Sequence, residues 1–262
     1  RCEQLEQFVD SLRPSSRPSF RFLHVVLPHD PFQHLADGRH YGIVDSLNRP
    51  LLGTHGAWNE EWGPDELAAR SAWRRYLLQV QMIDRFIGEM LEALEEQGLL
   101  QECLLIVTAD HGLSFFSDEP RREPVRRNLA ALLPVPLFIK LPEQSQGKVS
   151  DDNVESIDIL PTIADVLDLE IPGPVDGQSL IDPRERPRPR KIAVLLNNSQ
   201  IAVDPAFPQK YECVDEMLRH FGSGGRDDRL WEADLHPDWV GRLVTEFHRG
   251  PETGARLMLD CG

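Results

Sequence analysis

No stretch of this 262-residue chain approaches the roughly 18 consecutive apolar residues of a membrane-spanning helix. No charged-then-apolar leader opens it either. Positive charge is scarce: 28 lysines and arginines stand against 43 aspartates and glutamates, a formal net charge of −15. That balance argues against general binding to nucleic acid or anionic lipid, both of which need a basic face. It also sets a condition. If so acidic a chain handles an anionic ligand, a metal or an arginine cluster must compensate locally. The four cysteines, Cys2, Cys103, Cys213 and Cys261, lie far apart and form no CxxC pair, which excludes a zinc knuckle. Cys103 opens an apolar run and reads as a small core residue. Internal repeats and long low-complexity segments are also missing. The chain begins with Arg1, inside an expected helix, and is therefore expected to be a piece of something longer.

What is present reads as an ordinary globular composition, with 40% hydrophobic and 27% charged residues. The length fits one α/β domain, or a domain with a small appendage. EQLEQFVDSL (3–12) is a short amphipathic helix by its spacing. FRFLHVVL (20–27) reads as a buried strand stopped by Pro28. Residues 30–64 are rich in Gly, Pro, Asn and Trp and form a long excursion of the kind that is usually functional. Asp65 is placed to cap a long helix running to Gln97, and Gly98 stands in the left-handed position that ends it. LLQECLLIVTADHG is a continuously apolar strand suited to a sheet covered on both faces. PVPLFIKLP (134–142) is a further strand, VESIDILPTIADVLDL a helix with Pro161 near its first turn, and KIAVLLNN a last strand. Strand, helix, strand, loop, strand, helix is the rhythm of a layered α/β domain with a largely parallel sheet and helices on both faces. RERPRPRK (184–191) reads as a solvated linker.

Two loops carry chemistry. In open α/β sheets, ligand sites lie at the carboxyl ends of strands. Asp110-His111-Gly112 follows CLLIVT, and Pro28-His29-Asp30-Pro31 follows FRFLHVVL. Carboxylate oxygen and imidazole nitrogen are the donors a divalent metal takes at roughly 2.0–2.2 Å. Neighbouring strand residues point to opposite faces, so Asp110 and His111 converge only beyond the strand, where Gly112 gives the backbone freedom. The other reading is a loop acid beside a satisfied histidine. Spacing alone leaves both open. His24 is expected to point into the core, and His34 and His40 to lie in the excursion.

VTADHG resembles the metal-binding motif of the sulfatase branch of the alkaline phosphatase superfamily. HVVLPHDPFQHLADGRHY resembles the family's PHxP segment as it occurs in a membrane-associated bacterial subgroup. RRYLLQVQMIDRFIGEMLEAL, PRREPVRRNLAALLPVPLFIKLP and ESIDILPTIADVLDLEIPGPVDGQSLID resemble the segments around the metal strand. The likeness covers about residues 18–183 and implies the carboxyl-terminal part of such a protein. By position, Asp110 and His111 resemble two metal ligands, and His29 the histidine that contacts the transferred sulfuryl or phosphoryl group. Asp84 matches a recurring helix acid and is given a structural role. Arg121 and Arg122, in a cluster with Arg126 and Arg127, sit where bidentate partners for an anion are useful.

The resemblance implies one divalent ion (Ca, Mg, Mn or Zn), an anionic sulfate or phosphate ester as substrate, and a covalent intermediate. It also implies an extracytoplasmic domain of a membrane-anchored protein. No second histidine follows the DHG triplet within LSFFSDEPRREPVRRNLA, which favours a one-metal site. No cysteine stands in the CxPxR pattern of sulfatase maturation, and Thr162 reads as a helix-start residue. The nucleophile and the remaining metal ligands are therefore expected from an absent amino-terminal part, and this chain alone is expected to be inactive. The expected organisation is a partial catalytic domain over residues 1–183, a linker over 184–191 and a region without assigned role over 192–262. The rival reading is a non-catalytic relative binding an envelope glycan or a protein through Tyr41, Trp58 and Trp62. A phosphoglycerate-mutase-like metal enzyme ranks last, because no HxxxH follows downstream.

Overall fold

The structure is a computed structural model that describes residues 2–40, 62, 66–117, 119–181, 188, 190–194, 199–204 and 206–221. The chain divides into two compact units, Arg1–Cys213 and Val214–Gly262, and the geometry below belongs to the first.

Its spine is the long helix. Helix α1 spans Cys2–Asp10 and α2 spans Glu66–Glu96. On α2 the spacing Ala72, Gln79, Met82, Phe86, Met90, Leu94 puts one stripe inside. Leu5 and Leu27 pack against Met82 and Phe86, with Phe8, Val9, Leu23 and Val25 closing around them. Farther along the same stripe, Leu12 meets Met90 and Leu94, joined by Cys103, Leu105 and Val107. Helix α2 ends as its sequence prescribes. Gly98 adopts φ +68°, and the N–H groups of Leu99 and Leu100 turn back to the Leu94 carbonyl at 2.8 and 3.1 Å. Asp65 lies outside the described residues.

The segment 20–27 differs from its expectation. It is extended, but among the described residues no strand pairs with it. Leu23, Val25 and Leu27 face the α1–α2 core, whereas Phe20, Phe22 and Val26 remain 80%, 76% and 48% exposed. A run that is apolar on both faces needs cover on both, and the described residues cover only one. His24, expected inside, falls on the outer face and is exposed.

Strand β1 (Leu105–Thr108) pairs with β2 (Leu137–Lys140) in antiparallel register, Leu105 opposite Lys140 and Thr108 opposite Leu137. Strands β3 (Lys191–Val194) and β4 (Gln200–Val203) form a second antiparallel pair. The parallel layering expected from the sequence is thus not found among the described residues, whose paired strands are short and antiparallel. Between β1 and β2 the chain makes a long loop and the short helix α3 (Leu129–Leu132). Helix α4 (Ile159–Val166) follows a single 3₁₀ turn, and α5 covers Gln209–Phe221, within the region left without an assigned role.

Asp158, at the start of α4, is 2% exposed. Its carboxylate accepts two bonds from the Arg188 guanidinium, at 2.6 and 2.8 Å, and one each from the backbone N–H of Gln178 and of Glu155. Arg188 belongs to the segment read as a solvated linker, yet its side chain is 12% exposed and clamped. Thr162 is also committed: its hydroxyl donates to the Asp158 carbonyl at 2.6 Å and accepts from the Leu180 N–H. Burial pushes the Asp158 pKa up, but Arg188 and the two N–H groups together outweigh it and hold the carboxyl below its ordinary 3.8.

A lowered carboxylate pKa stabilises the fold above the unfolded value, and that contribution is lost as pH falls through the native one. Asp158→Asn is therefore expected to cost about 3 kcal/mol at neutral pH, as for a buried pair that loses one partner, with the difference shrinking in acid. Urea unfolding at two pH values measures it; equal midpoints at neutral pH would remove Asp158 from this role.

Candidate active site

Beyond β1 the chain leaves the sheet, and Asp110 and His111 come together. The Asp110 Oδ1 accepts the His111 backbone N–H at 2.9 Å, and Oδ2 lies 3.8 Å from His111 Nε2. Two donors that each stand roughly 2.0–2.2 Å from one ion are separated by at most about twice that, so the pair fits a shared cation. The Asp110 side chain is 77% exposed and that of His111 38%. Gly112 contributes differently from its expectation. It has no positive φ, but a Cβ there would fall 2.0 Å from the Ala131 carbonyl oxygen. The loop presses against the backbone of α3, where the Gly112 N–H donates to the Leu132 carbonyl at 2.8 Å.

The second loop is fixed from behind. Gln79, fully buried on α2, makes four hydrogen bonds into it. Its Nε2 donates to the carbonyls of Pro28 (2.9 Å) and His29 (3.1 Å). Its Oε1 accepts from the Gln33 N–H and from His34 Nδ1, both at 3.0 Å. His34 is thus a buried structural residue, edge-on to His40 at 5.3 Å. The His29 Nδ1 stands 2.7 Å from both the Asp30 carbonyl oxygen and Asp30 Oδ1.

The arginine pair divides. Arg121 is 5% exposed; it donates to Asp30 Oδ2 at 3.0 Å and stacks over the Trp62 ring at 4.2 Å. It lies behind His29 rather than in the open. Arg122 is exposed and bridges the two loops, donating to His29 Nε2 at 3.0 Å and to His111 Nε2 at 2.9 Å. Arginine has no acceptor, so both Nε2 atoms accept and both rings carry their proton on Nδ1. For His111 that proton goes to the Gly112 carbonyl at 2.7 Å, leaving Nε2 as the lone-pair nitrogen. Such an arrangement is how proteins usually present a metal-binding imidazole.

Several supporting residues escaped the sequence reading. Asn128, fully buried, holds the arginine loop with its Nδ2 on the carbonyls of Pro120 and Glu123 and its Oδ1 on the Val125 N–H. Ser114 donates to Glu119 at 3.3 Å. Trp62 donates to the Ser114 carbonyl at 2.9 Å and stacks on Phe115, which also meets Phe32, Trp73 and Tyr76. Burial in this cluster raises the Tyr76 pKa. Trp62 therefore belongs to a buried aromatic floor and is itself buried, while Tyr41 and Trp58 lie outside the described residues. Gln79 falls on the apolar stripe of α2, and a buried amide demands partners, but the helix spacing does not say which groups those are. Asp84 is exposed on α2. Among the described residues no cluster of three or more metal-binding side chains occurs.

The family model described as Sulfatase matches residues 3–169. An endo-4-O-sulfatase of Bacteroides thetaiotaomicron is 26% identical over 174 residues, which are 64% of this chain and 33% of that protein. An arylsulfatase of Clostridium perfringens is 30% identical over 188 residues, 65% of this chain and 38% of that protein. A solved phosphonate monoester hydrolase from Silicibacter pomeroyi aligns at TM-score 0.46 and 27% identity, covering 62% of this chain and 30% of its own. The chain thus spans little more than a third of the length of the curated relatives it matches.

Gly112→Ala is expected to lower stability by roughly 1–3 kcal/mol, the usual cost of overpacking, and to shift the His111 ring signals in an NMR spectrum. Gly147→Ala, where a Cβ meets nothing within 4 Å, serves as the comparison and is expected to leave both readouts unchanged.

Proposed function

The chain belongs to the sulfatase family, and from that premise we propose that it is the carboxyl-terminal part of a metal-dependent hydrolase or transferase of sulfate or phosphate esters. The observation that carries the reading is the guanidinium of Arg122, held between Nε2 of His29 and Nε2 of His111. A positive group already sits where two imidazole lone pairs converge, and the Asp110 carboxylate lies 3.8 Å from one of them, His111 Nε2. Two loops far apart in sequence are joined there, which a set of merely solvated side chains does not require.

In this reading Asp110 Oδ2 and His111 Nε2 supply two donors for one divalent ion, and their 3.8 Å separation suits a shared cation. When bound, such an ion neutralises charge on the ester oxygens and lowers the pKa of the attacking group. Arg122 turns its fork from the histidines to the non-bridging oxygens of the ester, a planar match for a tetrahedral anion. His29 faces the transferred group through Nε2. The local positive charge meets the condition set by a chain of net charge −15.

The attacking group and the remaining ligands belong, in this proposal, to a part of the protein not included in this chain. Two facts support that. Thr162, next to Pro161, has its hydroxyl fully engaged in the fold, and the chain spans little more than a third of its curated relatives. The nucleophile attacks sulfur or phosphorus, the alcohol leaves, and water or an acceptor alcohol releases the enzyme-bound ester. The motif pattern's likeness to membrane-tethered members extends the proposal to an extracytoplasmic location.

Calorimetric titration of the intact protein with Ca, Mg, Mn and Zn, beside its Asp110→Asn variant, tests the site. The variant is expected to bind the preferred ion at least about 100-fold more weakly, beyond the loss typical of outer-shell changes; equal affinities would end the assignment. The isolated chain is expected to turn over neither aryl sulfate nor aryl phosphate. Turnover abolished by Asp110→Ala would refute its dependence on the rest of the protein.

A further inference from the structure

The aspartate between the two prolines of PHDP plays no part in the reading above, yet it is built into the site more firmly than the histidine it follows. Its side chain is 19% exposed. One oxygen, Oδ2, takes the Arg121 guanidinium at 3.0 Å; the other, Oδ1, stands 2.7 Å from His29 Nδ1, which the Asp30 carbonyl oxygen also meets at 2.7 Å. Arg121 in turn cannot swing away. Its side chain is 6% exposed, Trp62 covers its guanidinium face at 4.2 Å, and its carbonyl receives the Ser114 N–H at 3.0 Å. Its Nε finds no hydrogen-bond partner among the described residues, so the Asp30 contact is a principal polar anchor of its head group. Breaking a pair this deep leaves a charge without compensation, which is costly.

We propose that Asp30, clamped by Arg121, is a positioning residue that fixes His29 as its Nδ1–H tautomer and so dedicates Nε2 to the reacting group. Arg122 reports the outcome, because it can donate to His29 Nε2 only if that atom is bare. Gln79 fixes the backbone of the same residue through the Pro28 and His29 carbonyls, and Asp30 fixes the ring. With Nδ1 committed, proton exchange between His29 and a substrate, water or alcohol oxygen occurs at Nε2 alone. The carboxylate behind the ring also stabilises the imidazolium that forms when Nε2 takes up that proton, the arrangement by which buried aspartates serve catalytic histidines on unrelated folds.

The proposal rests on the reading of His29 as a group that faces the ester, but its test needs neither metal nor substrate. The chain is labelled with ¹⁵N in histidine, the His29 ring nitrogens are assigned by loss of their signals in His29→Gln, and the tautomer is read from their shifts at a pH where the ring is neutral. Wild type is expected to show Nδ1–H with Nε2 bare; a His29 found as Nε2–H overturns the proposal whatever any variant does. Asp30→Ala is expected to move His29 to a mixture dominated by Nε2–H. Asp30→Asn keeps an oxygen acceptor and is expected to restore Nδ1–H. An Asp30→Ala ring that stays Nδ1–H shows that the Asp30 backbone carbonyl suffices, and this too sinks the role of the carboxylate. Asp37→Asn, on an exposed carboxylate paired with Arg39, is expected to leave the signals in place. Tautomer and metal affinity are separate readouts, so this proposal and the Asp110–His111 assignment can fail independently.

Discussion

An arginine side chain can only donate, and that constraint orders the whole site. Placed between two imidazoles, Arg122 obliges each to turn a bare nitrogen toward it. Each ring must then send its remaining proton backward, to the Gly112 carbonyl in one case and to the carbonyl and carboxylate oxygens of Asp30 in the other. From that requirement the supporting structure follows. Gly112 has to lie against α3, Asp30 has to be paired with a buried arginine, and Arg121 has to be seated on an aromatic floor. The two loops are thus coupled through hydrogen-bond polarity before any ligand is considered.

The electrostatics of the molecule have the same local character. The chain as a whole is strongly acidic, yet two cations lie at the loops, Arg121 beneath and Arg122 in the gap. The buried one, Arg121, is paired with Asp30, whereas Arg122 is exposed and bonds to two imidazoles. An anion approaching the loops therefore meets an exposed guanidinium above a charge-balanced pair. The Asp158–Arg188 pair shows a different use of similar chemistry. There the carboxylate bonds are spent on the fold, tying the start of α4 to Glu155 just before it, to Gln178 and to Arg188 thirty residues on.

Much of this was legible in the sequence, and the boundary of legibility is physical. The helical periodicity of α2 and the glycine that ends it are local properties, so Glu66–Glu96 and Gly98 could be read directly. The convergence of His29, His111 and Arg122 could be read because each loop follows an apolar run and the motifs resemble a known family. What stayed hidden depends on partners distant along the chain. Gln79 reads as one more polar residue on a helix until its four partners, up to fifty-one residues away, are seen. Arg121 and Arg122 are adjacent letters with opposite fates, because a loop held by Asn128 turns one inward and one outward. The strand expected at 20–27 could not be judged either, since a strand is defined by its neighbours and periodicity says nothing about which neighbours are at hand.

That same segment carries a consequence for handling the chain. Phe20 and Phe22 stack on each other at 6.4 Å on its outer side, with Val26 beyond them. Three greasy side chains in line along an extended backbone make an adhesive strip, the arrangement that natural sheet edges blunt with lysine or proline. At long range the acidic surface keeps copies apart, and salt weakens that repulsion. Ionic strength is therefore the expected control on self-association of the purified chain, with dilute buffer opposing contact between strips and concentrated salt permitting it.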